Sequence, residues 1–226
     1  MATSSLDLII FDCDGVLIDS EIISANTLIA LLGKLGVHID FSYVQKNFIG
    51  RSFQKVASEI GQRFQITLPE GFEAQYRQEL LKSFETQLQP SPNINKTLQQ
   101  LNLKICVATS SSPERVARSL QITKLISHFN ENIFTASQVK NGKPAPDLFL
   151  LAAKTMGVNP ANCLVIEDSQ PGIEAAIKAG MPVWHYNGGS HLKGVEWVDT
   201  SGYKADQSFS NWQDFIPLLS VFSKKT

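Results

Sequence analysis

Cysteine is scarce: the 226-residue chain has three, Cys13, Cys106 and Cys163, each in or beside an apolar run. That number and placement argue against a disulfide framework and suit small buried hydrophobes. A cysteine-dependent phosphatase needs an arginine six positions after its cysteine, and those positions hold Asp19, Ser112 and Ser169. No charge of one sign dominates either. The formal net charge is −1 and the longest basic block is in the "KKT" tail, so no nucleic acid and no anionic membrane surface is expected as a partner. No apolar stretch reaches the roughly 20 residues of a membrane span, and "MATSSLDLIIF" lacks the basic start and cleavage site of a signal peptide. The expectation is a cytoplasmic protein, a monomer, with small soluble partners.

What the chain does have is alternation. The runs "LDLIIF", "LKICVAT", "NIFTA", "NCLVIED" and "MPVWHY" are each followed by a helical pattern, which points to βαβ units and a parallel sheet. About ninety residues separate the first two runs, whereas a crossover needs only a dozen or so. A helical insert is therefore expected at about Ser20 to Gln89, punctuated by Gly33, Gly36 and Gly61. Residues 1–19 and 90–226 would form the sheet domain, to which "QPSPN" returns the chain with turn chemistry and a helix start. The remainder reads as loops, one more short strand and a closing helix from about Asn211, with Trp184, Trp197 and Trp212 as packing residues.

Four polar clusters stand at strand ends. They are Asp12-Cys13-Asp14-Gly15, Thr109-Ser110-Ser111-Ser112, Lys143 in "NGKPAPD", and Glu167-Asp168-Ser169. Ligands of open parallel sheets bind beyond the carboxyl ends of the strands, where the strand order reverses, so all four clusters can converge. On an extended chain Asp12 and Asp14 point the same way. With Glu167 and Asp168 they would put four carboxylates near one point, which calls for a cation; an all-oxygen set suits Mg²⁺. Thr109, the backbone N–H groups of Ser110 and Ser111 at a helix start, and Lys143 would serve a phosphate. Taken singly each cluster has a plainer reading: a strand-end turn for the aspartates, a helix cap for Thr109 to Ser112, a solvated surface lysine for Lys143.

In this order and spacing, "DCDGV", "VATSS", "GKPAPD" and "VIEDS" resemble the four motifs of the haloacid dehalogenase-like hydrolases. "DGVLIDSE", "PGIEAAIKAG" and the helical insert are similar to the sugar-phosphate phosphatase and β-phosphoglucomutase branch. The resemblance implies a Rossmann-like three-layer αβα core with a parallel sheet and an inserted α-helical cap domain. It implies Asp12 as nucleophile, forming an aspartyl-phosphate, and Asp14 as general acid and then base. Thr109, Ser110 and Lys143 would hold the phosphoryl group. Mg²⁺ would take Asp12, the backbone carbonyl of Asp14, and Asp168, with Glu167 acting through water or from behind. Because dehalogenases and phosphonate hydrolases lack an acid two positions after the nucleophile, Asp14 favours phosphate esters.

The implied function is a Mg²⁺-dependent phosphomonoester hydrolase acting on a small phosphorylated metabolite, a sugar, polyol or sugar acid. Mutases of this branch carry a cap histidine and arginine where this chain has Ser24 and Phe53, with Arg51 two residues from the second position. A phosphosugar mutase is thus the second reading, and a phosphometabolite-binding or receiver-like regulatory protein the third. His38, His128, His185 and His191 lack metal-ligand spacing and read as structural or surface residues, and "NGGSH" at 187–191 as a turn. Among the cap cations Arg51, Lys55, Arg77 and Lys82, only Arg51 draws attention as a substrate contact.

Overall fold

The computed structural model describes residues 5–194 and 202–222. Six parallel strands form one sheet: β1 (Leu8–Phe11), β2 (Lys104–Thr109), β3 (Ile133–Thr135), β4 (Cys163–Glu167), β5 (Val183–Tyr186) and β6 (Gln207–Phe209). Their order is β3-β2-β1-β4-β5-β6, so the chain builds outward from β1 on one side and then returns to build from β4 on the other. The expected final short strand is present as β6.

Both faces of the sheet are covered, which is why its strands read as near-continuous apolar runs. Leu8 and Ile10 share one face with Cys106, Ala108, Val165 and Val183, whereas Ile9 and Phe11 share the other with Val107, Leu164, Ile166 and Trp184. In chain order the helices are α1 (Glu21–Lys34), α2 (Phe41–Asn47), α3 (Phe53–Phe64), α4 (Phe72–Gln87), α5 (Ile94–Gln99), α6 (Pro113–Ile122), α7 (Ile126–Phe129), α8 (Asp147–Met156), α9 (Gln170–Lys178) and α10 (Trp212–Phe222). The first face packs under α8 and α9 through Phe149, Ala152, Ile173 and Ala176. Ile94, Leu120, Phe129 and Trp212, from α5, α6, α7 and α10, cover the second. This is the three-layer, Rossmann-like α/β architecture. Trp184 and Trp212 lie in the aromatic packing with Phe209 and Phe215, while Trp197 falls outside the described residues.

Helices α1 to α4 occupy the long interval between β1 and β2. The chain leaves and re-enters the sheet side by side: Asp19 N donates to the Gln89 carbonyl at 3.0 Å and Ser91 N to the Leu17 carbonyl at 2.9 Å. Two of the three expected glycine breaks are corrected. Gly33 lies inside α1 and Gly61 inside α3, and only Gly36, at φ +78°, follows a helix end. A helix-interior glycine costs about 1 kcal/mol, which the buried neighbours Leu31, Leu32, Val56 and Ile60 outweigh by packing.

Candidate active site

The site grows from the loop that follows β1. Asp12 N donates to the Ile166 carbonyl at 2.9 Å, which lays the loop against the end of β4. Gly15 is held at φ +76°, and a Cβ there would come within 1.9 Å of Asp168 Oδ2. No side chain fits that approach, so the glycine lets the two loops meet.

Lys143 is the hub beneath them. Its Nζ donates to Asp12 Oδ1 at 2.5 Å, to Glu167 Oε1 at 2.7 Å and to the Ala108 carbonyl at 3.0 Å, and the residue is 4 % exposed. All three ammonium donors are thereby used. The second oxygen of Glu167 accepts from the Asp168 and Ser169 amides, both at 2.8 Å, and from Ser169 Oγ at 2.9 Å. Gly172, in the first turn of α9, makes room for this carboxylate, since a Cβ there would lie 1.8 Å from Oε1. One oxygen from each of Asp12, Glu167 and Asp168 lies within 4.8 Å of the others. An all-carboxylate donor set of this kind fits a hard cation such as Mg²⁺.

These surroundings move the ionisations in opposite directions. Burial raises the Asp12 carboxyl well above its usual range, with Glu167 and Asp168 adding to the rise and Lys143 opposing it. Burial and Glu167 raise Asp168. Burial would raise Glu167 too, but Lys143 and the Ser169 hydrogen bonds outweigh it and hold this carboxyl low.

Asp14 corrects the picture of four converging carboxylates. The strand ends at Phe11, so the alternation expected of an extended chain does not reach Asp14. Its carboxylate instead accepts from Ser20 Oγ at 2.6 Å, Ser111 Oγ at 2.5 Å and Arg115 Nη2 at 2.6 Å. Burial alone would raise Asp14; Arg115 and the two hydroxyls overcome it and hold the carboxyl low. Thr109 is buried, and its Oγ1 accepts from Ser111 N at 3.1 Å. Ser112 caps α6 by accepting from Arg115 N, with Pro113 next. Thr109, Ser110 and Ser111 line the same cleft as Asp12, Asp14, Lys143, Glu167 and Asp168. Every site residue expected from the sequence therefore borders one cleft, closed on the far side by α1, α3 and α4.

Several residues of the site carried no readable signal. Arg115 looks like an ordinary helix-surface cation, yet it also donates to Ser24 Oγ at 3.0 Å and lies over the Phe84 ring, 5.5 Å from its centroid. Glu21 and Tyr76 line the cleft as well. Of the histidines, His38 is exposed, His128 half-buried, and His185 and His191 buried; the "NGGSH" turn brings His191 Nε2 to 2.9 Å from Asp168 Oδ2. Of the cations on α1 to α4 and their links, Arg51 and Arg77 line the cleft, paired with Glu59 and Glu73. Lys55 Nζ donates to the Lys143 carbonyl at 3.0 Å, and Lys82 pairs with Glu79 on the surface.

The comparisons with known proteins agree with this geometry. A family model described as haloacid dehalogenase-like hydrolase matches residues 6–180. The chain is 28 % identical over 193 residues to the 6-phosphogluconate phosphatase of Escherichia coli K12, covering 85 % of this chain and 87 % of that protein. It is 30 % identical over 175 residues to the fructose-1-phosphate phosphatase of the same strain, covering 76 % and 92 %. Among solved structures, a haloacid dehalogenase-like protein of unknown function from Agrobacterium tumefaciens superposes with a TM-score of 0.80 at 29 % identity, over 96 % of this chain and 99 % of that one. The motif-bearing loops, the sheet order and the match over most of the sequence lead to one assignment: the chain belongs to the haloacid dehalogenase-like hydrolases.

Proposed function

We propose that the protein is a Mg²⁺-dependent phosphomonoester hydrolase that acts on a small phosphorylated sugar, polyol or sugar acid through an aspartyl-phosphate. The observation that carries this reading is the division of labour between the two aspartates. Asp12 sits with Lys143 and two further carboxylates, whereas Asp14 is held apart by Ser20, Ser111 and Arg115 on the side of α1.

Lys143 holds Asp12 Oδ1, leaving Oδ2 without a donor among the described residues and suited to attack phosphorus. The Asp12 O–P bond forms as the ester P–O bond breaks; Asp14, which Arg115 and the hydroxyls of Ser20 and Ser111 hold ionised in the resting site, takes up a proton as substrate binds and gives it to the leaving oxygen. In the second step Asp14 takes a proton from water, the water oxygen bonds to phosphorus, and Asp12 is released with inorganic phosphate. The Thr109 hydroxyl and the Ser110 amide, close to the start of α6, suit the phosphoryl oxygens, and the Ser111 amide, which donates to Thr109 Oγ1, would join them by exchanging that bond. Asp12, Asp168 and the Asp14 carbonyl would hold Mg²⁺, with Glu167, whose oxygens are both bonded to protein donors, standing behind. Bound there, the ion would neutralise charge on the transferring phosphoryl group.

Residues 20–89 would form a cap over a core of residues 1–19 and 90–226, and the side-by-side crossings at Asp19 and Gln89 support that division. The two phosphatase relatives, named for phosphorylated sugar and sugar-acid substrates, support the substrate class. Hydrolysis is favoured over mutase chemistry because Ser24 offers a hydroxyl already donated to the Ser20 carbonyl at 2.9 Å, and Phe53 stacks on Tyr76, 5.5 Å between centroids. Phosphate release from a panel of sugar, polyol and sugar-acid monophosphates, with Mg²⁺ or chelator and with Asp12→Asn as control, tests the reading. Mg²⁺-dependent release that the mutation abolishes is expected. Absence of release together with interconversion of phosphosugar isomers by NMR would establish the mutase instead; absence of both would leave a binding protein.

A further inference from the structure

Residues 187–191, Asn-Gly-Gly-Ser-His, follow β5 and have no part in the chemistry above. The turn is nonetheless built tightly against the site. A Cβ on Gly188 would approach the Ser210 carbonyl oxygen to 2.1 Å, and one on Gly189 would approach the His191 ring to 2.7 Å and the Gly15 carbonyl oxygen to 3.1 Å. Two anchors fix Ser190 and His191 beyond these glycines. Ser190 donates its amide and its hydroxyl to Asp19 Oδ1, at 3.2 and 2.6 Å, and Gln45 of α2 donates its side-chain amide to the His191 carbonyl.

The result is an imidazole only 2 % exposed, with Nε2 2.9 Å from Asp168 Oδ2. The two atoms are close but out of line: among the described residues, neither Nε2, nor Nδ1, nor Asp168 Oδ2 has a hydrogen-bond partner. A buried polar atom left unpaired costs about 1–3 kcal/mol, so an arrangement that confines three of them calls for a reason. Carboxylates that hold a cation with one oxygen are ordinarily steadied by a hydrogen bond to the other. A small rotation of the ring would bring Nε2 into line with Oδ2.

We propose that His191 is a positioning residue for Asp168, donating from its ring to Oδ2 so that the other carboxylate oxygen is presented to the cation. This rests on the metal-dependent reading given above. Because the turn follows β5 and is anchored by Asp19 and Gln45, the ring's position is set jointly by the sheet and by the segment between β1 and β2.

The test is Mn²⁺ binding, followed by electron paramagnetic resonance in the absence of substrate, with the metal-free melting temperature recorded for each variant. His191→Leu is expected to weaken Mn²⁺ binding roughly 10- to 100-fold, whereas His191→Gln, which keeps a side-chain N–H, recovers most of it. Equal affinity in wild type and His191→Leu overturns the proposal, as does equal weakening by Leu and Gln. If His191→Leu does not fold, Gln45→Ala frees the carbonyl without touching the ring, and a several-fold loss is expected; unchanged affinity overturns the proposal. Failure of the wild type to bind Mn²⁺ would overturn the metal reading itself, and is seen without any variant.

Discussion

Arg115 Nη2 donates to Asp14 Oδ1 at 2.6 Å and to Ser24 Oγ at 3.0 Å, so a single nitrogen of α6 joins the loop after β1 to helix α1. Arg115→Lys keeps the charge and loses the planar fork. A charge-assisted hydrogen bond contributes about 1.5–3 kcal/mol, so kcat/KM for phosphate release is expected to fall by about 10- to 100-fold. Steady-state kinetics decide it, and wild-type values in the variant would show that this ion pair has no part in turnover.

Lys143 neutralises Asp12 and Glu167 in a buried place, and its removal leaves those charges facing each other and Asp168. Lys143→Met is expected to cost about 3–5 kcal/mol of stability. Urea unfolding with chelator present measures this, and an unchanged midpoint would contradict it.

Glu21, at the wall of the cleft, has its carboxyl raised from 4.5 to about 8, first by burial and then by the negative charge of Asp14. Between those values the folded chain keeps a proton that the unfolded chain has released, so this group's contribution to stability falls as pH rises through the window. In metal-free protein, Glu21→Gln should gain melting temperature over wild type progressively from about pH 5 to about pH 8. A constant difference across that range would show that Glu21 ionises normally.

Burial raises the thiols of Cys13 and Cys106 and, with Asp7 nearby, pushes Cys163 up to about 11. Native protein at neutral pH should therefore resist iodoacetamide at all three positions and keep its activity. Mass spectrometry after brief treatment checks this; rapid labelling of any one would mean that its surroundings open.

The parts of this site legible in the sequence are those attached to strand ends. Asp12, Thr109 and Glu167 each stand where a β-branched run stops, and a parallel sheet brings such ends together. Asp14 was legible as a residue but not in its direction, because Gly15 at φ +76° and the hydroxyls of Ser20 and Ser111 turn its carboxylate away from the others. Arg115 was not legible, since its partner lies 101 residues away and nothing local separates it from a solvated helix cation. His191 escaped for a similar reason: its turn reads as a turn, and it is the approach of Asp168, distant in sequence, that gives the ring a neighbour to act on. The fold was more open to reading than its punctuation. Continuous apolar runs marked the strands, whereas Gly33 and Gly61 were absorbed into helices by the packing of residues beside them.

Around Asp12, three carboxylates face one ammonium group. In their ionised forms the surplus is two negative charges, the charge of a single divalent ion. An ion that binds the folded chain alone stabilises it by about 2.7 kcal/mol at a hundredfold excess over its Kd. Scarcity of that ion would then reduce the amount of folded protein as well as its turnover, and the abundance of the protein would report on the supply of the metal.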